Sequence, residues 1–511
     1  VFVANEGRHR RCLCFFITPR SRAAAATCGN MRFAGALLAC TGIGATCWCA
    51  SGFVLQGPLP TPASRHGFRQ VSQAQPGSGE RCSTASHARR RSPHPRIVCS
   101  VVERSSSRTA SSEDDGIISP CIASIAPSKT IEVHALTKEM EARGEKVVSL
   151  CVGEPDFPPP PAVLDATVEA VRQGHTKYTG VTGTPELRQA ICDDLRRRKG
   201  LEYSPTEVVV ANGAKQAVYQ AVLSVVRPGD EVVIPAPYWP SYPEMVRMAG
   251  GTPVIVHTDV QGGYLLSPAQ LRAALTKRTR MLIFCNPSNP TGAVHPKELC
   301  EEIGAVLREH EAKTGRGVWV LADEIYERLV YEVPHHAFAT VEGMHARTMT
   351  VNGFSKSHAM TGYRLGYLAA PSAIIQAVTT LQGQITSCAC AISQQAGLAA
   401  LAVPDDEMQR SFDIMREKRD FVIGRLAKIP GLQASTPQGA FYVLPDVSQH
   451  FGKTAPDGTA MNTATDFCLH LLRDHSVALV TGEGFGYPNG VRISYATAME
   501  DLEAAMSEVS R

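Results

Sequence analysis

Val318-Trp319-Val320-Leu321-Ala322-Asp323-Glu324-Ile325-Tyr326 runs five apolar residues straight into two carboxylates and a tyrosine. So short an apolar run suits a strand of a covered sheet better than a helix. From Val208 onward the pattern recurs: Val208–Val210, Glu231–Ile234, Pro253–Val256, Met281–Phe284 and Met349–Val351 also read as strands, with amphipathic helix-like stretches between most of them. That alternation predicts an α/β fold with a mostly parallel central sheet flanked by helices. In such sheets ligands bind beyond the carboxyl ends of the strands. The unusual clusters sit at those ends: Asn212-Gly213-Ala214-Lys215, Asn286–Gly292, Asp323–Tyr326 and Ser355-Lys356.

Each cluster has a plain structural reading beside a chemical one. Asn286-Pro287-Ser288-Asn289-Pro290-Thr291-Gly292 must be a shaped loop, since prolines remove backbone donors and glycine permits tight turning. A carboxylate at Asp323, at the mouth of a buried strand, is costly unless it meets a cation. A helix N-cap is the simpler role for it. Lys356 in Gly353-Phe354-Ser355-Lys356-Ser357 could be an ordinary surface lysine. Arg364 in Thr361-Gly362-Tyr363-Arg364-Leu365-Gly366-Tyr367 lies in an apolar, aromatic setting that predicts a buried guanidinium seeking an anion. A phosphate held by Arg364, Ser355 and the backbone N–H groups of Gly213-Ala214-Lys215 at a helix start would supply one.

The ordered set SNPTG, ADEIY, SKSHAMTGYRLGY and VRISYA resembles the class I and II aminotransferases of fold type I, from about Ser119 to the C-terminus. The resemblance implies pyridoxal 5′-phosphate (PLP) as cofactor, a large domain with the mostly parallel sheet and a smaller α+β domain. It also implies a homodimer with shared sites. Lys356 resembles the lysine that anchors the cofactor and moves the Cα proton, Asp323 the partner of the pyridine nitrogen, and Tyr326 and Asn289 the donors to the ring oxygen. Trp239 in Pro237-Tyr238-Trp239 resembles the aromatic residue stacked on the ring, with a core tryptophan as the alternative. Gly213, Ala214, Lys215, Ser355 and Arg364 surround the phosphate in such enzymes, and Tyr178 resembles the tyrosine reaching the neighbouring subunit's phosphate. Arg492 in Val491-Arg492-Ile493-Ser494 resembles the arginine that grips the substrate α-carboxylate, and Gly153 in GEPDF the loop glycine beside the substrate.

The motifs GEPDF, GAKQ, PYW and GYRLGYLAAP are most similar to the bacterial-type aspartate aminotransferases, including plastid enzymes that also act on prephenate. There a threonine and a lysine recognise the dicarboxylic acceptor; Thr130 and Lys215 occupy the matching positions, with a helix N-cap and a solvated helix-start lysine as their structural alternatives. Ser357-His358 and Tyr363 depart from the usual pattern and bear on substrate preference. The expected reaction is transamination between glutamate or aspartate and a dicarboxylic oxo acid, prephenate included. An aromatic- or alanine-type aminotransferase, or a carbon–sulfur β-lyase releasing pyruvate and ammonia, would share Lys356, Asp323 and Arg492. A PLP-domain transcription regulator would need an N-terminal DNA-binding domain, for which no helical periodicity is present.

Composition frames these readings. The 511 residues are 44% apolar and 19% charged, with a formal net charge of +3. That suits a globular protein of more than one domain, and the excess of basic residues gathers in the N-terminal stretch rather than on a nucleic-acid-binding face. Up to Ser112 the only acids are Glu6, Glu80 and Glu103, against the run Arg89-Arg90-Arg91. Met31-Arg32 followed by an apolar run from Phe33 to about Ala50, then Ala50-Ser51-Gly52-Phe53, is laid out like a signal peptide; the Pro-, Ser- and Arg-rich stretch beyond has transit-peptide composition. Met31 reads as a start site, and the two-part presequence as an address to a plastid, with a single membrane-anchoring helix as the alternative. The mature enzyme is expected to need no membrane. The predicted organisation is a presequence over 1–115, a segment 116–165 joining the small domain, a PLP-binding domain over 166–400 and a small domain over 401–511. Half of the sixteen cysteines lie at or before Cys99 and no zinc-ligand spacing appears, so neither a disulfide framework nor a metal site is expected.

Overall fold

The computed structural model describes residues 118–123, 125, 129–455 and 458–510. The presequence reading of 1–115, with Met31 as a start, lies outside the described residues.

Strands β1 (Val208–Ala211), β2 (Glu231–Ala236), β3 (Thr252–His257), β4 (Thr279–Cys285), β5 (Trp319–Asp323), β6 (Thr348–Gly353) and β7 (Gly366–Ala369) form one sheet in the order β1-β7-β6-β5-β4-β2-β3. Neighbours are parallel except around β7, which is antiparallel to both β1 and β6. The six expected strands are present. Strand β7 was not foreseen, because Gly366-Tyr367-Leu368-Ala369 is short and continues a motif that reads as a binding loop.

Both faces of the sheet are apolar, and β5 shows why. Val320 and Ala322 point into a cluster with Cys300, Ile303 and Leu307 of the helix Lys297–Thr314. Leu321 points the other way, into a cluster with Val218 and Val222 of helix α1 (Ala214–Val225) and Ile375 and Val378 of the helix Ser372–Ile385. Val320 and Leu321 each contribute roughly 1.5–3 kcal/mol on burial, so the strand is held from both sides. A shift of one residue would turn Asp323 out of the cleft.

Registers place the chemistry. Asp323 pairs with Cys285 on β4 and Val351 on β6, while Gly366 pairs with both Gly353 and Ala211. The ends of β1, β4, β5 and β6 therefore share one edge with the start of β7. Gly366 has to be glycine: a Cβ there would stand 2.5 Å from the Ala214 nitrogen.

Beyond the large sheet, Tyr442–Val443, Val491–Ser494 and Val480–Thr481 form a three-stranded antiparallel sheet, following the helix Asp405–Leu426. Val148–Ser149 pairs in parallel with Val477–Ala478, tying the N-terminal segment to the C-terminal region. Among the described residues no helix is long and apolar enough to cross a membrane.

Candidate active site

A cleft of about 1240 Å³ opens at the strand ends, lined among others by Gly153, Ala214, Lys215, Trp239, Asn289, Asp323, Tyr326, Ser355, Lys356, Arg364 and Arg492. Residues separated by more than 300 positions in the chain thus face one space.

Asp323 ends β5 and is 5% exposed. Its Oδ2 accepts from the Tyr242 hydroxyl at 2.7 Å and its Oδ1 from the Ile325 amide at 3.3 Å. No helix starts here; residues 325–328 form turns, so the N-cap alternative does not hold. Burial pushes its pKa up to about 6, against the Tyr242 and Ile325 hydrogen bonds, which lower it. An acid held by neutral donors in this way favours a cationic N–H as its further partner.

Lys356 lies in the turn after β6, its ammonium donating to the Gly153 carbonyl. Burial, joined by the positive charges of Arg492 and Arg364, lowers its pKa to about 8, against the opposing pull of Glu154 and Asp323. The surface-lysine alternative fails on this point. An amine with that pKa is readily deprotonated, as a nucleophile and proton carrier must be.

Tyr326 is buried, its hydroxyl 3.0 Å from that of Tyr442. Asn289 is 8% exposed, and its Oδ1 accepts from Arg492 Nη1 at 3.2 Å. Arg492 also donates from Nη2 to the Cys151 carbonyl at 2.6 Å, and its guanidinium lies 4.6 Å from the Tyr442 ring centre and 5.0 Å from that of Phe485. Its buried Nε has no hydrogen-bond partner. A buried cation with donors to spare suits a carboxylate. Gly153 keeps this corner open: a Cβ would fall 2.8 Å from the Tyr442 hydroxyl.

At the other end, Gly213 (φ 83°) leads into α1, whose first residues, Ala214 and Lys215, line the cleft together with Ser355 and Arg364. The Arg364 guanidinium passes directly over Gly213, since a Cβ there would lie 2.7 Å from Nη2. Arg364 is nevertheless exposed, with Nη1 donating to the Thr361 carbonyl at 2.9 Å. This corrects the expectation of a buried guanidinium: its aromatic sequence neighbours turn into the core, whereas its own side chain reaches the cleft mouth. Helix start, hydroxyl and guanidinium still form an anion cradle.

Trp239 is partly buried at the edge of the core cluster around Tyr242, so the core and cleft readings both hold in part. Lys215 is largely exposed in the first turn of α1, its ammonium 4.8 Å above the Trp239 ring centre, and partial desolvation there, with the nearby Arg364 charge, lowers its pKa. Tyr178 is 91% exposed and is not among the residues lining the cleft. Thr130 falls in the helix Lys129–Ala142, with its side chain outside the described residues.

Among the cleft residues that escaped the sequence reading are Tyr242, Tyr442 and Phe485. A signal existed for the first, which follows Trp239 by three positions and so meets it across the first turn of the next helix. Nothing local marked Tyr442 or Phe485, whose roles come from long-range packing on Arg492. Outside the cleft, Glu324, Glu327 and His335 bring possible ligand atoms within 4.8 Å of one another, but the Lys199 ammonium bridges both carboxylates, at 2.6 Å from Glu324.

The family profile "Aminotransferase class I and II" matches residues 145–509. The chain is 43% identical over 406 residues to the bifunctional aspartate aminotransferase and glutamate/aspartate-prephenate aminotransferase of Petunia hybrida, covering 78% of this chain and 83% of that one. To the aspartate/prephenate aminotransferase of Cereibacter sphaeroides it is 42% identical over 394 residues, covering 77% and 97%. The crystal structure of the aspartate aminotransferase from Rhizobium meliloti superposes with a TM-score of 0.74 at 40% identity, covering 77% of this chain and 98% of that one.

Proposed function

The chain belongs to the class I and II aminotransferases, PLP-dependent enzymes that act on small amino and oxo acids, and on that premise we propose that it moves an amino group between aspartate or glutamate and a dicarboxylic oxo acid, prephenate among them. One observation carries the reading: Lys356, Asp323 and Arg492, from distant parts of the chain, meet in one cleft at the carboxyl edge of the sheet.

When bound, PLP supplies an electron sink for the charge left on the substrate's Cα. The protein supplies charge and orientation. Asp323 would keep the ring N–H protonated, and Tyr326 and Asn289 would donate to the ring oxygen. The helix start at Ala214, Ser355 and Arg364 would hold the phosphate. Lys356 Nζ would anchor the group and, once the substrate's amine has taken its place there, would as a free amine take the Cα proton and return it, general acid–base work typically contributing about 10²–10⁴-fold. Arg492 fixes the α-carboxylate through its remaining N–H donors, next to the floor formed by Gly153 and Tyr442. Lys215, above Trp239, and Thr130 receive the second carboxylate.

A homodimer is part of the proposal. Tyr178 is 91% exposed, and Leu164, Val168 and Val171 form an exposed apolar stripe at helical spacing on Pro161–Arg172. Pairing would cover both and bring Tyr178 towards the neighbouring phosphate cradle. The proposed destination is a plastid, on the composition of residues 1–115.

An acceptor panel tests the substrate claim. Purified protein incubated with aspartate or glutamate should convert oxaloacetate or 2-oxoglutarate, and should form arogenate from prephenate. Turnover of the first two without arogenate would remove prephenate from the proposal.

A further inference from the structure

Asp323 has a partner with no part in the reading above. Tyr242 sits in the first turn of helix α2 (Ser241–Met248), 2% exposed, and its hydroxyl lies 2.7 Å from Asp323 Oδ2. Its ring meets Trp239 edge-on, with centres 5.3 Å apart and planes at 84°. One side chain therefore touches both the acid at the strand end and the aromatic residue of the cleft wall. The hydroxyl is the donor of the pair: burial and the neighbouring Asp323 charge raise its pKa well above that of a free tyrosine, so it keeps its proton.

We propose that Tyr242 is a positioning residue, whose hydroxyl holds Asp323 in its ionised form and turns the carboxylate's remaining lone pairs to the cleft. The proposal rests on the transamination reading and adds a residue to it. A carboxylate offers about four acceptor positions. Tyr242 and the Ile325 amide occupy one on each oxygen, leaving the others for a cationic N–H. The other groups around Asp323 do not take over this role. The Cys285 thiol on β4 is pushed up to about 12 by burial and the Asp323 charge, so it stays neutral. Glu324 opposes ionisation of Asp323, and Lys356 favours it as the weakest of the contributors. Tyr242 is the largest stabilising influence on the charged form, against the cost of burial.

Y242F removes the hydroxyl and keeps the ring against Trp239. A hydrogen bond to a charged group is worth about tenfold or more in an equilibrium, so apo-Y242F should bind PLP at least about tenfold more weakly than apo wild type. The acid limb of kcat/KM, which reports groups of the free enzyme, should move up by about one pH unit. The apoprotein's Tm should stay near wild type. In a D323N background, Y242F should weaken PLP binding no further, because the group it acts through is gone. Unchanged PLP affinity and acid limb in Y242F would overturn the role of Tyr242, and so would a loss that compounds in D323N/Y242F. Wild-type protein that binds no PLP would instead overturn the transamination reading itself.

Discussion

Asp323 and Glu324 are adjacent, both buried, and treated in opposite ways. Glu324 turns away from the cleft and meets the Lys199 ammonium at 2.6 Å, and Lys199 reaches Glu327 as well. Burial alone would raise the Glu327 pKa, yet Lys199, His335 and Arg198 bring it down to about 2. Here the chain supplies its own counter-charge. Asp323 faces the cleft and receives only the neutral donors Tyr242 and Ile325, and its pKa rises to about 6. A structural carboxylate is neutralised from within; a functional one is held ready for a charge that arrives with a ligand.

Breaking the structural side should have the largest effect on stability. Lys199→Met leaves two buried carboxylates without their cation and should destabilise the protein by about 3–5 kcal/mol, read as a fall in the denaturation midpoint. If the midpoint is unchanged, the Lys199 pair is not a structural ion network. Adding Glu324→Gln and Glu327→Gln to Lys199→Met should restore part of the loss.

The functional side should respond in the opposite sense. Folded Asp323 keeps its proton to about pH 6, whereas a free aspartate loses it near 3.8. Between those values the folded state binds more protons, so this residue's contribution to stability falls as pH rises and stays low above 6. Asp323→Asn should therefore stabilise the apoprotein by roughly 3 kcal/mol at neutral pH, with the gain vanishing near pH 4, while turnover drops by about 10²-fold or more. A variant less stable than wild type at pH 7 would place Asp323 with Glu324, as a structural acid. A smaller effect sharpens the contrast among the amines: Lys356 should react with an amine-directed reagent along a curve centred near pH 8, not near the ordinary 10.5.

Much of this was legible in the sequence, for physical reasons particular to each element. Strand β5 could be read because its run of apolar residues, packed on both faces, leaves no polar alternation to confuse. Asp323 could be read because a carboxylate at the mouth of a buried strand needs a partner; Lys356 and Arg492 carry no such local mark and came only through the resemblance of their motifs. Strand β7 could not, since a four-residue strand after Arg364-Leu365 looks like more loop. The exposure of Arg364 was also hidden, because it depends on how the turn Thr361–Tyr363 aims the side chain. So was the network of Lys199, Glu324 and Glu327, which joins positions more than 120 residues apart whose pairing only the packed fold defines. Tyr442 and Phe485 belong to the same class, being known as cleft residues only once they pack on Arg492.

The most direct measurement is borohydride reduction of the PLP-loaded protein followed by peptide mapping. The cofactor should be found on Lys356 in wild type, with neither label nor turnover in Lys356→Ala. Label retained at wild-type level in that variant would mean that another lysine holds the cofactor and that the cleft at the end of β5 is not where the chemistry occurs.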